Sequence, residues 1–191
     1  MKLLQSLRKT GKLYFNIQDL RKISAYSTDS LYVILNRLVK RNELIRLCPG
    51  IYILPEKIGA IEIIANLIYY PSYLSFDSAL ARYGLISQIP YTFSFATLRK
   101  PKSLTLLDYD IEYSMINKSY FSGYVKLKNG LFIASPEKAL VDMIYIASFG
   151  KTYFDFGDIV LTKIDLKKFN RILSRYPLSV KNKAAKLIRF E

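Results

Sequence analysis

The 191-residue sequence contains no histidine and a single cysteine, Cys48. The missing histidine removes the usual general base, the usual triad partner and the commonest transition-metal ligand. One cysteine excludes an intramolecular disulfide and a cysteine-based zinc finger. No apolar run reaches the roughly 18 residues that a membrane-spanning helix needs. The most apolar helical segment, Ile58 to Tyr70, is broken by Glu62 and Asn66. No basic-then-apolar leader, internal repeat or low-complexity tract is visible. These absences lead us to expect a soluble, cytoplasmic protein with no membrane partner, no metal and no cofactor.

What is present is apolar material and positive charge. Hydrophobic residues make up 51% of the chain and aromatics 14%, which is too much to bury for a disordered polypeptide. The length suits two modest domains. The net charge is +14, and its distribution matters more than its sum. Residues 1–54 hold ten Lys/Arg against three Asp/Glu, residues 55–162 hold ten of each, and residues 163–191 hold nine against two. The excess therefore sits at the two ends, as an electrostatic footprint for a polyanion would.

Residues 1–54 read as three helices and a hairpin. Leu3, Leu4 and Leu7 mark a first helix that Gly11 stops, and Ile17, Leu20 and Ile23 mark a second. Ser27 is a good N-cap for a third. Leu31, Ile34, Leu35 and Leu38 follow at helical spacing as one apolar stripe. The rest of that helix exposes Thr28, Ser30, Tyr32, Asn36, Arg37 and Lys40, with Arg41 just beyond. Asn and Arg suit base edges, Lys suits phosphate and hydroxyls suit either. A solvated polar face is the ordinary reading of such a helix in isolation. The neighbours change that: Leu44 to Leu47, a Pro49-Gly50 turn and Ile51 to Leu54 form a hairpin placing Arg46 beside the groove the helix would enter. Together these elements predict a winged helix-turn-helix binding double-stranded DNA.

The expected boundary lies at Pro55-Glu56-Lys57, giving domains at 1–57 and 58–191. The second reads as α+β with a mainly antiparallel sheet. Helices are expected over Ile58–Tyr70, from Ser75 to about Tyr83, from Ser135-Pro136-Glu137, over Leu166–Arg175 and over Val180–Phe190. Strands are expected at Tyr73-Leu74, Tyr91–Leu98, Tyr109–Ile116, Gly123–Leu127 and Leu131–Ala134, with Asn129-Gly130 as a hairpin turn. In the last helix Val180, Ala184, Leu187 and Ile188 form the apolar stripe, and Lys181, Lys183, Lys186 and Arg189 lie away from it. These cations are either a solvated face or a second surface for phosphate or an acidic protein.

Asp108, Asp110 and Glu112 alternate as if along one strand face. They are the only hint of a metal-dependent nuclease or nucleotidyltransferase. No Gly-Ser phosphate-binding turn precedes them and no Lys follows Glu112 at the two-residue spacing of a nuclease. A solvated strand face explains them better, and no enzyme is expected.

The order of YLSFDSALARYGLIS, FSFATLRKP and FIASPEKALVDMIY behind such an N-terminal domain resembles the AbiEi antitoxin family of prokaryotic transcriptional regulators. The matching positions are Ser75, Ser78, Ala79, Leu80, Gly84, Leu85 and Ile86, then Thr97, Arg99 and Lys100, then Ser135 to Leu140 and Asp142. The resemblance covers nearly the whole chain. It implies a winged helix that represses its own operon through inverted repeats in the promoter. It also implies a C-terminal domain that counters a nucleotidyltransferase-like toxin in a toxin–antitoxin or phage-defence module. On that ground Arg99, Lys100, Glu137 and Asp142 join the basic C-terminal helix as candidate antitoxin contacts.

Overall fold

The computed structural model describes residues 2–88, 90–150, 156–157 and 159–187. Contacts divide the chain into two units: residues 1–65 with 105–108, and residues 66–104 with 109–191. The division thus falls at Ala65-Asn66, beyond the Pro55-Glu56-Lys57 boundary expected from the sequence. The reason lies in the expected helix over Ile58–Tyr70. Its first part is a 3-10 turn, Pro55–Ala60, and α4 (Ile61–Ile68) follows, burying Ile61, Ile64 and Ala65.

In the first unit, α1 (Lys2–Lys9), α2 (Ile17–Ser24) and α3 (Thr28–Lys40) surround one apolar cluster. Leu3, Leu4, Leu7, Leu20, Leu31, Leu35 and Leu38 fill it, closed by Phe15, Leu44, Tyr52 and Leu54. A side chain of this size contributes about 1.5–3 kcal/mol on full burial, so the leucines alone account for much of the cohesion. The hairpin forms from β2 (Ile45–Cys48) and β3 (Ile51–Ile53), with Gly50 at φ +82° in its turn. A further strand, β1 (Phe15–Asn16), pairs antiparallel with β3, making a three-stranded sheet in the order β1-β3-β2. Two residues are too short a run to read from sequence. The Leu107 N–H, also in this unit, donates to the Leu47 carbonyl at 3.4 Å.

The second unit is built on a six-stranded sheet in the order β6-β7-β5-β4-β9-β8. Its strands are β4 (Ser72–Leu74), β5 (Thr92–Thr97), β6 (Lys102–Leu106), β7 (Tyr109–Met115), β8 (Tyr124–Lys126) and β9 (Phe132–Ala134). The α+β class holds, but the sheet is mixed rather than mainly antiparallel. β4 pairs antiparallel with β5 and β8 with β9, whereas β4/β9 and β5/β7 are parallel. One of the two parallel pairs, β5/β7, goes with β6, a strand absent from the sequence reading. β6 turns at Leu107-Asp108 and lies beside β7, leaving β7's other edge to run parallel with β5.

β4 and β9 each lead directly into a helix, α5 (Phe76–Arg82) and α6 (Pro136–Ala147). Ser135 caps α6 by accepting the Lys138 N–H, and Pro136 occupies the first turn, where a missing N–H costs nothing. Ala139, Leu140, Met143 and Ile144 form an apolar stripe at helical spacing along α6, and all four are buried. Burial extends beyond that stripe to nearly every residue from Glu137 to Ala147, with α5, α7 (Leu166–Leu173) and α8 (Leu178–Leu187) packed against the helix. No helix among the described residues is long and apolar enough to cross a membrane.

Candidate nucleic-acid interface

The helical pair that presents α3 begins with α2, whose N-terminus carries a reciprocal cap. The Asn16 side chain accepts the Asp19 N–H at 2.8 Å, and the Asp19 carboxylate accepts the Asn16 N–H at 3.2 Å. Lys12 donates to the same carboxylate at 2.6 Å. Burial opposes ionisation of Asp19, but the Lys12 and Asn16 hydrogen bonds outweigh it and hold the pKa below the usual carboxylate value. α2 ends at Ala25, which takes the left-handed conformation at φ 55°, and only Tyr26 and Ser27 separate it from α3. An alanine there costs roughly 1 kcal/mol more than a glycine would. That strained corner sets how α3 leaves α2.

Ser27 caps α3, accepting the Ser30 N–H at 3.4 Å and donating to the Ser30 hydroxyl at 2.9 Å. Leu31, Leu35 and Leu38 face inward, with Ile34 partly buried. Thr28, Ser30, Tyr32, Asn36, Arg37 and Lys40 are all exposed, as are Ser27, Arg41 and Arg46. The exposed face also carries Asp29 and Val33, neither singled out from the sequence. Val33 is half exposed, an apolar contact of the kind a thymine methyl accepts.

Arg46 projects from β2 opposite Tyr52, just before a bulge between Arg46 and Cys48. Burial pushes the Tyr52 phenol up, against the pull of the Arg46 guanidinium. A second concavity at the α2–α3 corner is lined by Gln18, Arg21, Lys22, Ala25 and Tyr26. Arg21 and Lys22 lie in the last turn of α2, where cations complement the negative end of the helix dipole.

The second-unit candidates fall out differently. Asp142 is fully buried and accepts from Tyr73 and Ser75 on one oxygen, both at 2.9 Å. Its other oxygen meets the Lys138 ammonium and the Tyr176 hydroxyl, the latter at 3.1 Å. Ser75 stands at the N-cap position of α5 but makes no cap hydrogen bond; its hydroxyl goes to Asp142. Glu137 is also buried, accepting from the Ser135 hydroxyl at 3.0 Å. Both carboxylates are thus engaged in hydrogen bonds within the unit. Burial lowers the Lys138 pKa despite Asp142, and burial next to that carboxylate pushes the Tyr73 and Tyr176 phenols up.

Arg99 lies over the Tyr69 ring at 4.0 Å, and Lys100 is exposed while its carbonyl accepts from the Tyr69 hydroxyl. Lys181 and Lys183 are partly buried and Lys186 is exposed. Arg189, Ile188 and the side chain of Leu187 lie outside the described residues. Asp108 sits in the β6–β7 turn, not on the strand with Asp110 and Glu112, so the three do not share one strand face. Among the described residues no group of three or more His, Cys, Asp or Glu is placed to hold a metal.

A basic helix face beside a hairpin thus defines the first unit. Residues 1–55 match the family described as transcriptional regulator, AbiEi antitoxin, the family that the sequence resembles; the motifs from Ser75 to Asp142 lie outside the matched residues. The fold is similar to that of the RV2827C protein from Mycobacterium tuberculosis, known from a crystal structure. The TM-score is 0.64 at 16% identity, covering 97% of this chain and 74% of the other. At that identity the likeness is one of fold alone. No curated protein matches the chain.

Proposed function

We propose that the chain is a sequence-specific transcriptional regulator whose first unit is a winged helix-turn-helix. In this reading α3 enters the major groove, Asn36 and Arg37 read base edges, and Lys40, Arg41 and Arg46 meet phosphate. Ser27, Thr28, Ser30 and Tyr32 add contacts at the helix start. The observation that carries the proposal is the division of α3. Its leucines are buried, and its uncommitted polar side chains all lie on the open side. The match of residues 1–55 to a regulator family supports it.

We further infer that it acts as an autorepressing antitoxin in a toxin–antitoxin or phage-defence module and catalyses no reaction itself. The DNA partner would be inverted repeats in its own promoter. The protein partner would be a nucleotidyltransferase-like toxin.

The test is a gel-shift titration of wild type and Arg37→Ala on the DNA upstream of the chain's own reading frame. Loss of a base-reading arginine should cost about 1–3 kcal/mol of binding. Equal binding by the two proteins would overturn the assignment of α3. Turnover by the purified protein with Mg²⁺ or Mn²⁺, abolished in Asp110→Ala, would replace the regulator with an enzyme. Rescue of cells expressing the neighbouring toxin gene tests the antitoxin role.

A further inference from the structure

A cavity of about 580 Å³ lies wholly within the second unit, in the size range of small-molecule sites. One wall is the start of α6 at Ser135 to Lys138, another is Tyr120 to Tyr124, and the third is α7 with the turn after it. Lys168 and Arg171 on α7 and Arg175 in that turn all line this space. We propose that the cavity binds a single nucleotide, with its phosphates on Arg171 and Arg175 and its base against the tyrosine wall.

Charge selects the phosphate. Lys138 is neutralised by Asp142, so it adds no net charge. Among the described residues Glu137 is the one carboxylate in the lining, and its oxygens are taken by the Ser135 hydroxyl at 3.0 Å and the Asp165 N–H at 3.4 Å. Lys168 makes an exposed pair with Asp165 at 3.4 Å, the kind that contributes little. Among the described residues no carboxylate pairs with Arg171 or Arg175. Three cations therefore face one committed carboxylate. Guanidinium forks match phosphate oxygens in pairs, which an ammonium cannot do. The positive end of the 12-residue α6 opens into the same space.

The wall selects the base. Tyr120 stacks on Tyr176 with ring centroids 4.1 Å apart, and Tyr124 stacks on Tyr73 at 4.5 Å. Rings fixed in this way present flat apolar surface that a base can cover at little entropic cost. Gly123 keeps the floor close, because a Cβ there would stand 3.2 Å from the Lys138 stem. A polynucleotide would need a continuous track of cations rather than one bowl.

The proposal does not depend on DNA binding by the first unit, so the two fail separately. Calorimetric titration of the full chain with ATP, GTP and inorganic triphosphate, in EDTA at fixed salt, tests it. We expect one saturable site for at least one nucleotide, with triphosphate weaker. The Arg171→Ala/Arg175→Ala double variant should lose about tenfold or more, at an unchanged melting temperature. Lys167→Ala, on the same helix but outside the lining, and Arg37→Ala in the first unit should stay within about twofold. Any of three results overturns the proposal: no saturable binding of either nucleotide, equal affinity in the double variant, or triphosphate binding as tightly as ATP.

Discussion

The two units keep their polar residues in opposite places. Around α1, α2 and α3 the interior is leucine, isoleucine and aromatic carbon, and the side chains that can meet a partner are outside. In the second unit Asn66, Ser72, Ser75, Ser78, Ser94, Thr97, Glu137, Lys138 and Asp142 are all buried. The contrast teaches that a recognisable motif is not evidence of a contact surface. Ser75, Glu137, Lys138 and Asp142 carry the family resemblance and are spent on internal hydrogen bonds. In the first unit the residues with the least repetitive pattern, those opposite the leucine stripe, are the exposed ones.

The most severe test of the contrast is Asp142→Ala. It leaves the Lys138 ammonium buried without its carboxylate, and the Tyr73, Ser75 and Tyr176 hydroxyls without their acceptor. Breaking one half of a buried ion pair costs about 3–5 kcal/mol. Urea denaturation of the full chain should show a loss of that order. A Lys138→Met/Asp142→Leu double variant should recover part of it, because an apolar pair needs no desolvation. A double variant as unstable as the single one would mean that the hydrogen bonds to Asp142, rather than the charge pair, dominate.

Leu35→Ala breaks the other side of the comparison. Leu35 is fully buried in a cluster with no polar network to relax into the space. The expected loss is about 2–5 kcal/mol, with gel-shift binding lost as the unit melts. A drop well under 1 kcal/mol would show that the cluster collapses around the void and is less tightly packed than the burial indicates.

Legibility in the sequence follows the same divide. α3 was readable to its first residue because a Ser cap, a leucine stripe and a polar face all point to one helix. The hairpin was readable because Pro49-Gly50 has few other uses. β1 was not, since two residues carry no periodicity, and the Asn16–Asp19 cap goes with it. In the second unit, Lys138 and Asp142 at i, i+4 look like a solvated helix pair. Only the strand positions of Tyr73 and Ser75 and the distant Tyr176 make that pair internal. β6 was hidden because Lys100-Pro101-Lys102 reads as a basic turn, and without it the parallel pairing of β5 with β7 could not be inferred. Arg171 and Arg175 were visible as charge, but the cavity they line depends on β8 and α6, far away in sequence.

A milder change, Tyr176→Phe, sharpens the contrast through pH. The Tyr176 and Tyr73 phenols are pushed well above 10 in the folded chain, by burial first and the Asp142 charge second. The folded state therefore keeps protons that the unfolded chain releases above about pH 10. Stability from these groups is complete below that pH and falls as it rises further, by about 1.4 kcal/mol per pH unit for each tyrosine. Lys138, lowered by burial, acts in the opposite sense, and its contribution ends near the ordinary lysine value of about 10.4. Between about pH 10.5 and 11.5 wild type should lose stability more steeply than Tyr176→Phe. At neutral pH the variant should be weaker by about 1–2 kcal/mol, the cost of a lost buried hydrogen bond. Parallel alkaline limbs would show that Tyr176 is not protonated by its surroundings in the way its burial implies.

The smallest expected effect falls on Arg46, and it asks whether the exposed side of the first unit reads sequence or only charge. Arg46 is exposed on β2 beside the Arg46–Cys48 bulge, which turns the strand at that point. A hairpin arginine flanking a groove meets phosphate, and phosphate contacts release counterions whatever the base sequence. Arg46→Ala should then weaken promoter DNA and unrelated DNA by similar factors. It should flatten the dependence of log K on log salt by about one unit. Folding should be nearly unchanged, since nothing buried is removed. The measurement is a pair of anisotropy titrations across a salt series, one on each DNA. A loss confined to the promoter, with the salt slope intact, would move Arg46 from the phosphates to the base edges and make the hairpin a second reader of sequence.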